Sequence, residues 1–224
     1  MKKTILCVVT LFLLCISTNI KAQTNDNWNN YIKFQFVQPI GEYSDYYHAG
    51  VGLEYGRMFP FNFDIANGLL KPGLDITFIQ TTLNTGKEHT YYSDYNTKGG
   101  FLWNFGIKLG PMMSINIVDD LKGDFAIQYA PTLIMGYRKG LSSIEDREDY
   151  TTTSSISFAH RLSMKADIRY QHFLFGMELL FGQATLNYGK SIIPYYNNTT
   201  NAVALKDKKD LGLNTLLLNF GFTF

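Results

Sequence analysis

Ten charged residues fall on one parity of an alternating sequence: Lys33, Lys108, Arg161, Lys165 and Arg169 against Glu54, Asp75, Asp124, Asp167 and Glu178. Side chains of a strand point alternately to its two faces, so residues of one parity share a face. Five cations and five anions on a common interior face are costly unless they neutralise one another, and this balance predicts an ion-pair network that plugs a lumen. The opposite parity carries two basic side chains, Arg57 and His160. Arg57 is placed to snorkel to an interface, whereas His160 aims an imidazole out of the middle of an apolar segment and is read as a neutral histidine at a protein contact. The four histidines, His48, His89, His160 and His172, are scattered with no ligand spacing. Tetrahedral metal sites need such spacing, so no metal is expected, and no cofactor. No glycine-rich phosphate loop or Ser-His-Asp arrangement is present either, and no catalytic residue is assigned.

The elements that carry these residues are eight segments of alternating polarity, at about 31–40, 50–59, 69–81, 99–111, 123–137, 155–169, 172–186 and 211–224. One parity reads Ile32, Phe34, Phe36 in the first, Phe101, Trp103, Phe105, Ile107, Leu109 in the fourth, and Leu216, Leu218, Phe220, Phe222, Phe224 in the last. Alternation by itself leaves open which face is inside, since a soluble lipocalin-like barrel hides its apolar parity and a membrane barrel shows it to lipid. Glycine on the polar parity, at positions such as 52, 56, 106, 110, 176 and 182, fits a narrow lumen better than a solvent face. The segments are long enough for the roughly 9–11 residues a tilted strand needs to cross hydrocarbon. Longer connections at 83–98, 138–154 and 187–210 alternate with shorter ones at 60–68, 112–122 and 170–172, as external loops alternate with periplasmic turns. The fold class is therefore all-β, an eight-stranded antiparallel up-and-down transmembrane β-barrel. Pro131 lies inside the fifth segment and deletes a ladder donor, which predicts a β-bulge there.

The chain has 224 residues, 46% hydrophobic, with 17 Phe and 15 Tyr, and 20 basic against 19 acidic residues, so no charge footprint points to nucleic acid. Lys2 and Lys3, an apolar run from Ile5 to Ile16, and Lys21-Ala22 before a polar stretch have the layout of a signal peptide. Domain organisation is read as a signal peptide over 1–22 and an outer-membrane barrel over 23–224. Cleavage after Ala22 removes both cysteines, Cys7 and Cys15, and three lysines, which leaves 17 basic against 19 acidic residues and a formal charge of −2. Thiol catalysis and cysteine metal sites are then excluded.

Pro39-Ile40-Gly41-Glu42-Tyr43-Ser44, followed by Tyr47, Gly50, Gly52 and Gly56, resembles the first hairpin of the small outer membrane protein β-barrel domain family of Bacteroidota, often labelled PorT-like. The resemblance implies outer-membrane localisation, contact with outer-membrane lipid and lipopolysaccharide, and passage through the barrel assembly machinery. Phe220, Phe222 and Phe224 resemble the C-terminal assembly signal of such barrels. The family brings no shared catalytic residue. Barrel enzymes that act on lipid A include a deacylase with a His-x-Ser pair. Here Arg161-Leu162 follows His160, and Ser163 sits one place too far along and on the other face. The working surface is instead read in the loops, where Tyr91, Tyr92, Tyr95, Tyr150, Tyr195 and Tyr196 offer rigid amphipathic contact area to an extracellular or envelope protein or glycan. A small diffusion pore, a lipid A enzyme and a soluble periplasmic binding barrel are the alternatives.

Overall fold

Val, Ile, Phe and Tyr on one parity and short or polar residues on the other favour a pleated surface that is buried on one side, and strands follow almost throughout. The computed structural model describes residues 29–224 apart from 62–64, 67–68, 93–94, 119, 145–146 and 194–202; the expected signal peptide lies outside the described residues. The elements are β1 (Asn30–Pro39), α1 (Glu42–Tyr46), β2 (Tyr47–Pro60), β3 (Leu70–Gly86), β4 (His89–Tyr92), β5 (Tyr95–Val118), β6 (Leu121–Ile144), β7 (Arg147–Tyr170), β8 (Phe173–Ile193), β9 (Val203–Gly212) and β10 (Thr215–Thr223). Neighbours pair antiparallel in the order β10-β1-β2-β3-β5-β6-β7-β8, and β10 also pairs with β8, which closes an eight-stranded barrel. Every ring strand but one follows its neighbour in sequence, the up-and-down topology. Closure removes the free edges that an open sheet would expose.

The polar parity faces inward and the apolar parity outward. Lys33, Glu54, Asp75, Lys108, Asp124 and Glu178 are buried, while Phe34, Phe105, Phe125, Phe158, Phe175 and Phe220 are exposed. Glycine makes the narrow interior possible at specific points. A Cβ on Gly176 would lie 1.9 Å from Asp167 Oδ1 and 2.5 Å from the Ala166 carbonyl, so only glycine lets Asp167 cross in front of β8.

Three features depart from the expected pattern. The strands reach well into the ranges read as loops: β5, β6 and β7 are each 24 residues long, and the described residues of 83–98, 138–154 and 187–210 are largely strand. At about 3.3 Å per residue and a tilt near 40°, such strands rise roughly 60 Å, about twice a hydrocarbon core. The expected bulge at Pro131 is not there. Pairing with β7 runs unbroken through Pro131↔His160, and pairing with β5 lapses after Gly106↔Thr132 but resumes at Leu109↔Tyr129 in the same register. The Pro131 carbonyl faces Gly106, so the missing donor also faces β5, where the ladder loosens without gaining a residue. The segment read as one strand over 211–224 is divided at Leu213–Asn214, where the Asn214 carbonyl accepts from Ile40 N at 3.0 Å as the chain of β1 turns away.

Candidate functional site

The lumen is built in layers along the barrel axis. At the end that carries Asn30 and Phe224, Arg169 Nε lies 3.2 Å from Asp124 Oδ2, and Ser114 donates to Asp124. Above them Tyr31, Met58, Met112, Ala126 and Leu174 pack together. Tyr31 donates to Asp75 Oδ1 at 2.9 Å, and the ammonium groups of Lys33 and Lys165 both lie against its ring, 4.5 and 4.9 Å from the centroid. The negative face of a phenol ring attracts cations that lie against it.

The central layer is ionic. Lys108 Nζ lies 2.5 Å from Glu54 Oε2 and 2.8 Å from Glu178 Oε1. Lys33 Nζ lies 2.6 Å from Asp167 Oδ2 and 3.7 Å from Glu54 Oε1. Lys165 contacts Asp75 directly and approaches Glu54 at 3.9 Å and Asp167 at 4.0 Å. Neutral donors add to the layer: Gln35 and Thr77 donate to Glu54 at 3.0 and 3.2 Å, and Ser163 donates to Glu178 at 2.7 Å, while Asp167 Oδ1 is left without a hydrogen-bond partner among the described residues. Three ammonium groups and four carboxylates thus share one dry cross-section, and Glu54 touches all three lysines. Charge this deep is tolerable only with such pairing. The closest of these pairs reach across the lumen between strands that are not neighbours, β1 to β7, β5 to β2, β5 to β8 and β7 to β3, so the narrow closed barrel and not the register of one hairpin brings them together.

Arg161 stands apart from the other nine residues. It makes no ion pair within 4 Å among the described residues and instead donates to the Leu213 carbonyl at 2.5 Å and to Thr215 Oγ1 at 2.9 Å. Its role in this structure is to hold the break between β9 and β10.

The far end of the lumen is closed by apolar packing that parity alone does not reveal. Residues 40–46 fold inward, and Tyr43 and Tyr47 pack with Leu102, Ile134, Leu186, Leu211 and Leu213. Tyr43 and Tyr47 rings lie 5.2 Å apart, and Tyr43 donates to Asn84 Oδ1 at 3.0 Å. Burial pushes the Tyr43 phenol well above the ordinary tyrosine range. The sequence signal for this lid is the pair of tyrosines four residues apart, Tyr43 inside the helical turn and Tyr47 at its extended C-terminal boundary.

On the outer wall His160 is exposed, and its Nδ1 is hydrogen-bonded to the Tyr129 hydroxyl. Phe158 meets the imidazole edge-on with centroids 5.1 Å apart. Arg57 lies over the Phe59 ring at 5.0 Å. Of the loop tyrosines, Tyr91 and Tyr92 fall in β4, Tyr95 in β5 and Tyr150 in β7; Tyr195 and Tyr196 lie outside the described residues. Phe220 and Phe222 line the outer wall beside Phe175 and Phe173, at centroid distances of 5.0 and 5.4 Å, and the Phe224 ring stacks 6.5 Å from Tyr55. Among the described residues no group of three His, Cys, Asp or Glu side chains is placed to hold a metal ion.

No protein-family model matches the chain, and no curated protein matches it. Two crystal structures of Ail, the attachment invasion locus protein of Yersinia pestis, are similar to it. The one in complex with the heparin analogue sucrose octasulfate has 14% identity and a TM-score of 0.38, over 88% of this chain and 97% of Ail. The other has 13% identity and a TM-score of 0.33 over the same shares. That likeness carries no argument about function, and the barrel rests on its own strand pairing.

Proposed function

We propose that the chain is an integral outer-membrane barrel of the PorT-like kind, with a plugged lumen, which works without catalysis by presenting its long outer hairpins to an extracellular or envelope protein or glycan. The observation that carries this reading is the reversed polarity of the barrel. Lys33, Glu54, Lys108 and Glu178 are fully buried at the axis, whereas Phe34, Phe175 and Ile168 are about half exposed on the wall. In water that arrangement is upside down: a belt of exposed Phe, Leu and Ile around a closed sheet would aggregate, but it is what hydrocarbon favours. Both termini of the barrel then face the periplasm. Lipid and lipopolysaccharide are its surroundings, and Phe220, Phe222 and Phe224 are read as its signal to the assembly machinery.

The central ion layer and the Tyr43–Tyr47 lid argue for closure in two steps, and the lumen then has no transport role. The purified protein in a planar bilayer should give no discrete conductance steps; clear steps would establish a pore. Loss of partner binding when the hairpins at 83–98, 138–154 and 187–210 are shortened, with barrel assembly intact, is the expected result for an interaction protein. An altered lipid A mass spectrum on overexpression, lost in His160→Ala, would establish an enzyme instead.

A further inference from the structure

The apolar belt is uneven around the barrel. Along β10 and the residue after it the belt runs from Leu216 to Phe224, a span of eight residue steps, whereas on β7 it runs from Ile156 to Tyr170, a span of fourteen steps. At about 3.3 Å per residue and a tilt near 40° these are roughly 20 Å and 35 Å of height, against an apolar band of about 25 Å on membrane barrels. On β8 the run stops at Phe181 and an exposed Gln183 follows, but on β7 the apolar face resumes beyond His160 with Phe158 at 54% and Ile156 at 73% exposure. A face taller than the band is a mismatch that the bilayer must thicken to cover or a second protein surface must shield.

His160 sits inside that tall face and not at its rim. Tyr129 occupies its Nδ1, and among the described residues its Nε2 makes no hydrogen bond. A neutral imidazole has one donor and one acceptor nitrogen. If Tyr129 donates to Nδ1, the outside is offered the Nε2–H and a phenol lone pair. If Nδ1–H donates to Tyr129, the outside is offered the bare Nε2 and the phenol O–H. Either tautomer leaves one donor and one acceptor side by side, a pair that complements itself under two-fold rotation. An anionic lipid headgroup is disfavoured, because the outward residues of β6 and β7 around the pair are Leu133, Met135, Phe158 and Leu162, with no cation among them.

We infer that the β6–β7 wall is a contact between two copies of this chain within the membrane, in which the His160–Tyr129 pair of one copy meets the same pair of the other and the Ile156 and Phe158 side chains cover each other. The inference rests on the membrane reading above. Beyond Cys15 the chain has no cysteine, so single cysteines report cleanly. Ile156→Cys on the tall face and Phe220→Cys on the short one are each treated in native outer membranes with a flexible bis-maleimide, and heat-modifiable migration certifies the barrel in every variant. The expected result is a species of twice the monomer mass with Ile156→Cys and not with Phe220→Cys, reduced at least fivefold when His160→Leu is added. Monomer alone at both positions, equal yields at both, or an Ile156→Cys yield untouched by His160→Leu overturns the inference while the membrane reading stands. An adduct of another mass means that a different protein covers the face. Release of the chain by osmotic shock without detergent would end the membrane reading itself.

Discussion

Glu54 is the residue on which the lumen converges, since Lys33, Lys108 and Lys165 all lie within 4 Å of its carboxylate. Removing the one carboxylate that three buried ammonium groups share breaks a buried ion network, a change that costs about 3–5 kcal/mol. Glu54→Gln should therefore lower barrel stability by about 3 kcal/mol in urea titration of the folded, fast-migrating form. Glu54→Gln with Lys108→Met should recover part of that loss, because the ammonium that loses its nearest carboxylate is removed with it. A single variant within about 0.5 kcal/mol of wild type would show that the ion layer is solvated, not plugged. Gly176 gives a second residue-scale prediction. Gly176→Val drives a side chain into Asp167 and should cost about 2 kcal/mol by overpacking. Gly123→Ala is the control, since a Cβ there meets nothing nearer than 3.7 Å and stability should hold. Parity placed all ten charged residues on one face, but which carboxylate meets which ammonium depends on strand register. Register decides that Arg161 reaches the Leu213 carbonyl and, among the described residues, no carboxylate, and that Tyr129 stands beside His160; parity carries neither fact.

The elements were legible where alternation is long and uninterrupted and less so where chemistry interrupts it. The eight segments correspond to the eight ring strands, with the last divided between β9 and β10. Polar, charge-rich stretches such as Arg147–Ser154 read as loops because period-two patterning carries a burial signal, and strands that stand above a membrane with water on a face need not alternate. Pro131 misled for a related reason: a proline can sit in a ladder by facing its missing donor to a loosened neighbour, and the sequence does not say which neighbour it faces. The lid formed around α1 is the element with the sharpest consequence. Tyr43→Ala removes a buried ring and should destabilise the barrel by about 3 kcal/mol. The ion layer lies below the lid, so this variant should still show no conductance steps in a planar bilayer. Steps appearing with Tyr43→Ala alone would make the lid the sole closure.

At the scale of the whole molecule, an inside-out barrel has its stability decided by two solvents at once, with hydrocarbon against the wall and ion pairs at the axis. On the function proposed above, the working surfaces are those that meet neither solvent, the outer hairpins, together with the β6–β7 wall inferred to pair two copies. The aromatic end at Phe220, Phe222 and Phe224 belongs to this scale as well: replacing Phe224 by Ala should reduce the amount of barrel recovered in the outer membrane more than it lowers the stability of what is recovered. The most direct test of the membrane reading uses Asp45→Cys, in α1 at the lid end, and Asp120→Cys, in the turn between β5 and β6 at the opposite end, each labelled on intact cells with a membrane-impermeant maleimide. Labelling at position 45 but not at 120 until the outer membrane is permeabilised is the predicted result. Equal labelling at both positions, or at neither with the protein in the soluble fraction after osmotic shock, would contradict it.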